Sequence, residues 1–193
     1  MALSHTGTVE IRTERLFLRR FTPDDAQAMY SGWASDPAVT DYLTWDPHDS
    51  PASTRALLEM WCAEYDKPDR YNWAIEFGGE VVGNISVVRI SERNEYAEIG
   101  YCLSQRCWGK GIMPEAFSAV IDHLFGRVGF HRICAEHDDH NPKSGRVMIK
   151  CGLKLEGRRR EAWHHRNGEW HDLVCYATVR DDWREKWLGR CKG

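Results

Sequence analysis

Several features that define large protein classes are absent from this chain of 193 residues. No apolar run approaches the roughly 20 residues that a membrane-spanning helix needs. The segment from Met1 to Thr8 has neither the basic region nor the apolar region of a signal peptide. We therefore expect a cytoplasmic protein that does not bind a membrane.

An excess of positive charge is also lacking. The chain has 26 Lys and Arg residues against 29 Asp and Glu residues, which leaves a formal net charge of −3. Proteins that grip nucleic acid through bulk charge present a basic surface instead, so we expect no direct DNA binding. An acidic surface would, however, attract cationic amines.

Cysteine pairs of the Cys-x-x-Cys type are missing, although the chain contains seven cysteines. This scattered, odd set argues against a disulfide framework and against a zinc ribbon. Two histidine-rich segments, residues 137–140 and His164-His165, raise the question of a metal site. His137 and His140 lie where a predicted strand turns into a loop, so their rings need not point to one side. We therefore expect no metal ion.

The pattern of apolar residues and turn signals, without a repeat or a linker, predicts a single domain over residues 1–193 with a core from about 11 to 179. The predicted strands are residues 16–19, 73–77, 81–90, 96–103, 132–137, 153–163 and 172–179. Five helices are predicted. Two of them begin after Thr22 and Ser50, and the other three cover residues 114–125, 144–150 and 181–188. An antiparallel meander followed by a βαβ crossover indicates an α/β (α+β) fold, with a mixed, mostly antiparallel sheet and helices on both faces.

The stretch Arg106-Cys107-Trp108-Gly109-Lys110-Gly111 lies between a predicted strand and a predicted helix. The first N–H groups of a helix have no internal acceptor, and glycines let the backbone approach an anion closely, so this stretch predicts a phosphate site. Arg106 and Lys110 add positive charge nearby. A Walker loop would need Ser or Thr after Gly-Lys, and a dinucleotide fingerprint would need glycine at position 114, which is proline.

The hexad Arg106-x-x-Gly109-x-Gly111 resembles the acetyl-CoA signature of the GNAT N-acetyltransferase superfamily, Arg/Gln-x-x-Gly-x-Gly/Ala. It follows the fourth predicted strand, the position that GNAT topology gives it. Further matches to the RimJ/RimL type of ribosomal-protein N-terminal acetyltransferase are Arg12-Thr13-Glu14-Arg15-Leu16, Ala97-Glu98-Ile99-Gly100-Tyr101, Asn141-x-x-Ser144, Gly152-Leu153-x-Leu155-Glu156-Gly157 and Asn167-Gly168-x-x-x-Asp172. The resemblance implies a GNAT fold with a splayed fourth and fifth strand pair.

The resemblance also implies how acetyl-CoA, the acetyl donor, would bind. The pantetheine arm would pair with backbone groups of Ile99, Tyr101 and Leu103, and one N–H there would polarise the thioester carbonyl. Backbone amides of residues 107–112, from Cys107 to Ile112, would hold the pyrophosphate. Asn141 would contact the pantetheine or an ordered water.

In enzymes of this kind the amine attacks the thioester directly, so a base and an acid are expected. Glu136 in the fifth predicted strand is the favoured base and Glu98 in the fourth is the alternative, although either glutamate could be structural. Ser144 is the candidate acid because Met148 stands where some relatives have tyrosine; its alternative role is a helix cap.

The acceptor is less well defined by the sequence. Tyr42 and Trp45 are the candidate substrate contacts, because they lie in a loop-like segment after the first helix. The favoured acceptor is the α-amine of a protein N-terminus. A small amine, such as an antibiotic, an amino acid or a polyamine, and a non-catalytic acyl-CoA-binding module are the alternatives. Similar proteins are commonly dimers, so a homodimer is a further expectation.

Overall fold

A computed structural model of the chain describes residues 3–190, which form eight β-strands and six α-helices. The strands are β1 Ile11–Arg12, β2 Leu16–Arg19, β3 Asn72–Phe77, β4 Glu80–Ser91, β5 Tyr96–Leu103, β6 Arg132–Asp138, β7 Lys154–His164 and β8 Trp170–Val179. The helices are α1 Ala26–Met29, α2 Pro37–Thr40, α3 Pro51–Glu64, α4 Ile112–His123, α5 Pro142–Cys151 and α6 Arg180–Arg190. Among the described helices, none is long and apolar enough to cross a membrane.

The strands are hydrogen-bonded in the order β1-β2-β3-β4-β5-β6-β8-β7. The ladders β1/β2, β2/β3, β3/β4, β6/β8 and β7/β8 are antiparallel, whereas β5 and β6 are parallel. A parallel pair needs a crossover connection, which α4 supplies between β5 and β6. This mixed, mostly antiparallel sheet confirms the predicted fold class.

Residues 5–87 and 100–119 form one compact unit. Its core combines the first helices with β3 and β4, and the fully buried Trp33 and Leu58 lie in it. Gly78 and Gly79, with φ values of 61° and 82°, form the two-residue turn of the hairpin between β3 and β4. Gly83 in β4 is also required, because a Cβ there would lie 2.5 Å from the carbonyl oxygen of Cys102.

Residues 3–4, 88–99 and 120–190 form the second compact unit. Its parallel ladder pairs Tyr96 with Arg132 and Glu98 with Cys134. Strand β8 pairs with β6 along the whole of β6, and β7 continues the sheet with two register shifts. In this unit, the first residues of β5 therefore lie beside the first residues of β6, which in turn pair with the last residues of β8.

Several elements differ from the sequence-based prediction, most of them by one or two residues at an end. Strand β1 was not predicted, and it consists of only Ile11 and Arg12 paired with β2. Helix α5 begins at Pro142 instead of 144, because the Asn141 side chain caps it and proline suits the first helical position. Strand β8 begins at Trp170 instead of 172, which brings His171 into the sheet.

Candidate active site

The glycine loop lies between the end of β5 at Leu103 and the start of α4 at Ile112. Gly109 and Gly111 have φ values of 77° and 75°, in the left-handed region that residues with a Cβ avoid. A Cβ built on Gly109 would meet nothing within 4 Å. The open space beside this backbone lets an anion approach it.

The N–H groups of the loop fall into two sets. The backbone N–H group of Cys107 donates to the Ser104 carbonyl at 2.9 Å, inside a short 3-10 turn. That of Trp108 donates to the Gln105 carbonyl at 3.0 Å. For residues 109–111, no backbone acceptor is found within the described part of the chain. The N–H groups of Cys107 and Trp108 thus already have carbonyl acceptors, so those of residues 109–111 and the N-terminus of α4 are the better placed part of the predicted anion site.

Arg15 fixes the loop from outside, a role that the sequence analysis did not predict. Its guanidinium donates to the Lys110 carbonyl at 3.1 Å and forms an ion pair of 2.6 Å with Glu115 in the first turn of α4. The Thr13 hydroxyl donates to the same carboxylate at 2.5 Å. Burial raises the pKa of Glu115, but these hydrogen bonds outweigh it and leave the pKa below its usual value. The signal was available, because Thr13 and Arg15 belong to the first RimJ/RimL-like motif.

Arg106 and Lys110, the two basic residues predicted beside the loop, differ in their ion pairs. Arg106 pairs with Glu80 at 2.7 Å, and both side chains are more than half exposed. Lys110 is exposed, and it has no ion pair within the described residues. Because the charge of Arg106 is partly neutralised by Glu80, Lys110 is the positive charge that the loop itself leaves available.

The predicted pantetheine contacts follow β5. Ile99 is buried, with 3% exposure, and the Tyr101 ring packs against Phe117 with the ring centres 5.5 Å apart. The Leu103 carbonyl accepts a hydrogen bond of 2.8 Å from the indole N–H of Trp108. This hydrogen bond joins the loop to the end of β5. Trp108, which was predicted to bind the cofactor, therefore also has a structural role.

The two candidate bases lie on one face of the sheet. Glu98 pairs with Cys134 in the parallel ladder, and Glu136 is two residues further along β6. The Glu98 side chain is 14% exposed and lies 3.5 Å from Arg89, whereas Glu136 forms an ion pair with Arg159.

Their surroundings make the two carboxylates unequal. Burial is the main cause that raises the pKa of Glu98, and the negative charge of Glu136 raises it further. Arg89 and Arg159 act in the opposite direction but do not cancel these effects. A carboxylate with a raised pKa is a stronger base than an ordinary one, and the arginine beside Glu98 lies further away than the one that pairs with Glu136, so Glu98 is the better candidate for proton transfer.

Asn141 and Ser144 lie at the start of α5. The Asn141 side chain accepts a hydrogen bond of 3.3 Å from the Ser144 N–H, so Asn141 is the helix cap. The alternative role considered for Ser144, a cap at the helix start, is therefore corrected. Its predicted role as the acid, and the predicted contact of Asn141 with pantetheine or water, are not altered by this bond.

Tyr42 and Trp45, the predicted substrate contacts, are both half-buried. Trp45 packs against the core of its unit and contacts the ring of His48 at a tilted angle, with the ring centres 5.2 Å apart. An open cleft of about 810 Å³ lies in the same unit, and neither of these residues lines it. Its acidic lining residues Asp24, Asp25, Asp36 and Glu80 outnumber its arginines, Arg19 and Arg106.

Cys102, which is buried, and Cys134, which is half-buried, are poor nucleophiles. Burial raises the pKa of Cys102 to about 12 and that of Cys134 to about 11, so both thiols stay protonated at neutral pH. None of the six cysteines in the described part of the chain forms a disulfide bond.

Comparison with known proteins identifies the class. Residues 15–154 match the family described as acetyltransferase (GNAT) domain. The [ribosomal protein uS5]-alanine N-acetyltransferase of Escherichia coli is 30% identical over 194 aligned positions, which cover 93% of this chain and 95% of that protein. The uncharacterised N-acetyltransferase YoaA of Bacillus subtilis is 29% identical over 172 residues, 88% of this chain and 96% of YoaA.

A solved structure supports the same class. The ribosomal L7/L12 α-N-protein acetyltransferase RimL, in complex with coenzyme A, superposes with a TM-score of 0.81 at 25% identity. The match covers 90% of this chain and 99% of that one. The chain belongs to the GNAT acetyltransferase family. It is an N-acetyltransferase that uses acetyl-CoA as the acetyl donor.

Proposed function

We propose that this enzyme acetylates the α-amine of a protein N-terminus, with Glu98 as the base. The observation that carries the acceptor is the similarity to a ribosomal-protein alanine N-acetyltransferase along nearly the whole of both chains. Such an acceptor would be met in the cytoplasm, the location predicted from the sequence. RimL, which is also an α-N-protein acetyltransferase, supports the same acceptor class.

The donor would be held by the glycine loop. The N–H groups of residues 109–111 and the N-terminus of α4 would bind the pyrophosphate, with Lys110 adding charge. The space beside Gly109 supports this assignment, and the contacts of Arg15 keep the loop in place. Backbone groups of Ile99, Tyr101 and Leu103 would pair with the pantetheine arm, although the Leu103 carbonyl would have to share its bond with Trp108.

The chemistry would need a proton to leave the ammonium before the nitrogen attacks the thioester carbon. A peptide N-terminus has a pKa near 8, roughly, so a carboxylate of raised pKa is sufficient as base. Glu98 would take this proton, directly or through water. Glu136, held by Arg159, would act on Glu98 through its charge. Ser144 is proposed to return a proton to the departing thiolate of coenzyme A.

The test is acetyl transfer to matched amines. Tag-free enzyme and acetyl-CoA are incubated with peptides that begin with Ala or Ser, with the same peptides carrying a blocked N-terminus and an internal lysine, and with a small-amine panel of an amino acid, a polyamine and an aminoglycoside. Thiol release gives the rate, and mass spectrometry locates the acetyl group. Transfer to the free α-amine alone is the expected result. Transfer confined to small amines would favour that alternative, and coenzyme A binding without any turnover would favour a non-catalytic module.

A further inference from the structure

A cluster of one carboxylate and two imidazoles lies where β6 ends and β8 begins. Asp138 is the last residue of β6, His140 follows in the turn, and His171 is the second residue of β8. One donor atom from each residue can be chosen so that all three lie within 4.8 Å of one another. The antiparallel β6/β8 ladder, which pairs Asp138 with Leu173, brings these residues together.

The distances between donor atoms suit a small divalent cation. Asp138 Oδ2 lies 2.5 Å from His171 Nδ1, and Asp138 Oδ1 lies 3.1 Å from His140 Nδ1. Ligands bound tetrahedrally to Zn²⁺ at 2.0–2.1 Å stand about 3.3 Å apart. Opening the contact between Asp138 and His171 by less than 1 Å, roughly, would therefore admit the ion between them.

The environment holds two ligands rigidly and leaves the third accessible. The side chains of Asp138 and His171 are 2% and 6% exposed, whereas that of His140 is 58% exposed. The His171 ring lies against two further imidazoles: that of His165 is stacked on it with the ring centres 4.6 Å apart, and that of His140 is tilted towards it at 4.2 Å. An ion could thus enter from the side of His140, where a water molecule would complete the coordination.

The second nitrogen of His171 is the independent sign of a ligand. Its Nε2 is buried and has no hydrogen-bond partner among the described residues. The Glu169 carboxylate is 3.8 Å away. Histidines that bind a metal through one nitrogen commonly direct the other N–H at a carboxylate, which fixes the tautomer. A cation on Nδ1 would place the proton on Nε2, facing Glu169.

The neighbouring carboxylates share an arginine, which Asp138 does not contact. Arg158 binds the carboxylates of Asp139 and Asp172 at 2.9 and 3.2 Å. Asp139 Oδ1 lies 2.9 Å from His140 Nδ1, without hydrogen-bond geometry. Among the described residues, the buried Asp138 carboxylate has hydrogen-bond partners only on His140 and His171. Buried charges are found paired or bound to metal.

We propose that Asp138, His140 and His171 bind one divalent transition-metal ion of the Zn²⁺ class, with water in the open position. Two imidazoles and one carboxylate are ligands that this class accepts. The bound ion joins the end of β6 to the start of β8. The proposal departs from the expectation of no metal, which considered residues 137–140 without a histidine from β8.

The test uses tag-free protein stripped with a chelator and titrated with Co²⁺ and with Zn²⁺. Wild type is expected to bind one equivalent with a Kd below about 10 µM, to give the visible absorption of Co²⁺ in a nitrogen and oxygen site, and to unfold at a higher temperature with Zn²⁺. His140→Asn should weaken binding at least tenfold, and His171→Asn should abolish it. Because His140 is exposed, its variant should keep the fold, which circular dichroism checks.

His131→Asn is the matched control, since this exposed histidine lies at the opposite end of β6. It should bind Co²⁺ like wild type. The proposal is overturned by absence of a one-equivalent site in wild type, by equal binding in His140→Asn, or by the near-ultraviolet band of Co²⁺ bound to thiolate. Each of these outcomes leaves the acetyltransferase assignment untouched.

Discussion

The glycine loop and the carboxylate face of β5 and β6 depend on different parts of the polypeptide. In the loop, the groups available to a ligand are backbone N–H groups of residues 109–111, and they are adjacent in the sequence. On the carboxylate face, Glu98 and Glu136 come from different strands, and the pKa of Glu98 depends on its burial and on the charges of Glu136, Arg89 and Arg159. Changes in the loop should therefore alter the affinity for coenzyme A, whereas changes on the carboxylate face should alter the rate and its pH dependence.

The largest effect is expected for Glu98→Gln. If Glu98 takes the proton from the amine, kcat should fall roughly 10²-fold to 10³-fold, within the range found for general bases. The Kd for coenzyme A should stay within a factor of about two, since the donor contacts are backbone groups elsewhere. Steady-state kinetics and calorimetric binding measure the two quantities.

A normal kcat in this variant would remove Glu98 from the mechanism. Glu136→Gln, measured beside it, is expected to retain most of the rate. A large loss in Glu136→Gln with normal turnover in Glu98→Gln would restore the preference for Glu136 that the sequence suggested.

The second effect is the loss of donor affinity in Gly111→Val. Valine disfavours the positive φ of 75° at this position, and its side chain would approach Arg15 Nη2, which lies 3.5 Å from a Cβ placed there. The Kd for coenzyme A should rise roughly tenfold to a hundredfold, about 1.4–2.7 kcal/mol. Calorimetry measures it.

Gly79→Val is the control for backbone strain. Gly79 also has a positive φ, 82°, and open space around its Cβ position, but it lies in the β3–β4 turn. Both variants should lose stability, and only Gly111→Val should lose affinity. Equal affinities in the two variants would argue against the loop assignment.

The contrast between the two regions also explains what the sequence could predict. Gly109 and Gly111 mark a turn through local backbone geometry, so their spacing alone indicated an anion site, and the GNAT resemblance named the ligand. The contact of Arg15 with Lys110, and the ion pair of Glu136 with Arg159, join residues that only the fold brings together. The resemblance to the family therefore favoured Glu136 as the base, because the charges around Glu98 and Glu136 cannot be read from the sequence.

The hydrogen bonds inside the loop could not be predicted from the sequence either. A phosphate-binding stretch of residues 107–112 was predicted from its position, but whether an amide is available depends on the turn that precedes it. The 3-10 turn uses the N–H of Cys107, and the spacing of glycines carries no information on that bond. The β8 boundary is a similar case, because the start of the strand decides whether His171 faces Asp138.

A smaller effect is expected for Arg15→Met. The substitution removes the bonds to the Lys110 carbonyl and to Glu115, which lie at a partly exposed position. Exposed ion pairs contribute about 0.2–1 kcal/mol, and this bidentate one should lie at the upper end. The Kd for coenzyme A should rise about threefold to fivefold, with the pH profile of kcat unchanged. Arg55→Met, which breaks the ion pair with Glu59 on α3, is the matched control.

The smallest effect is a pair of opposite shifts in the pH profile. With Glu98 as the proposed base, the rate should rise with pH as Glu98 loses its proton, and the acid limb of the profile should follow the raised pKa of that group. Glu136→Gln removes a charge that raises the pKa of Glu98, so the limb should move to lower pH. Arg89→Met removes a charge that lowers this pKa, so the limb should move to higher pH.

In folding, the raised pKa of Glu98 contributes stability below its unfolded pKa, and this contribution is lost as pH rises through the folded value. Rates measured from pH 4.5 to 8, roughly, with an acceptor peptide whose amine titrates near 8, separate this limb from that of the substrate. Shifts of the same sign in the two variants would show that the limb belongs to another group.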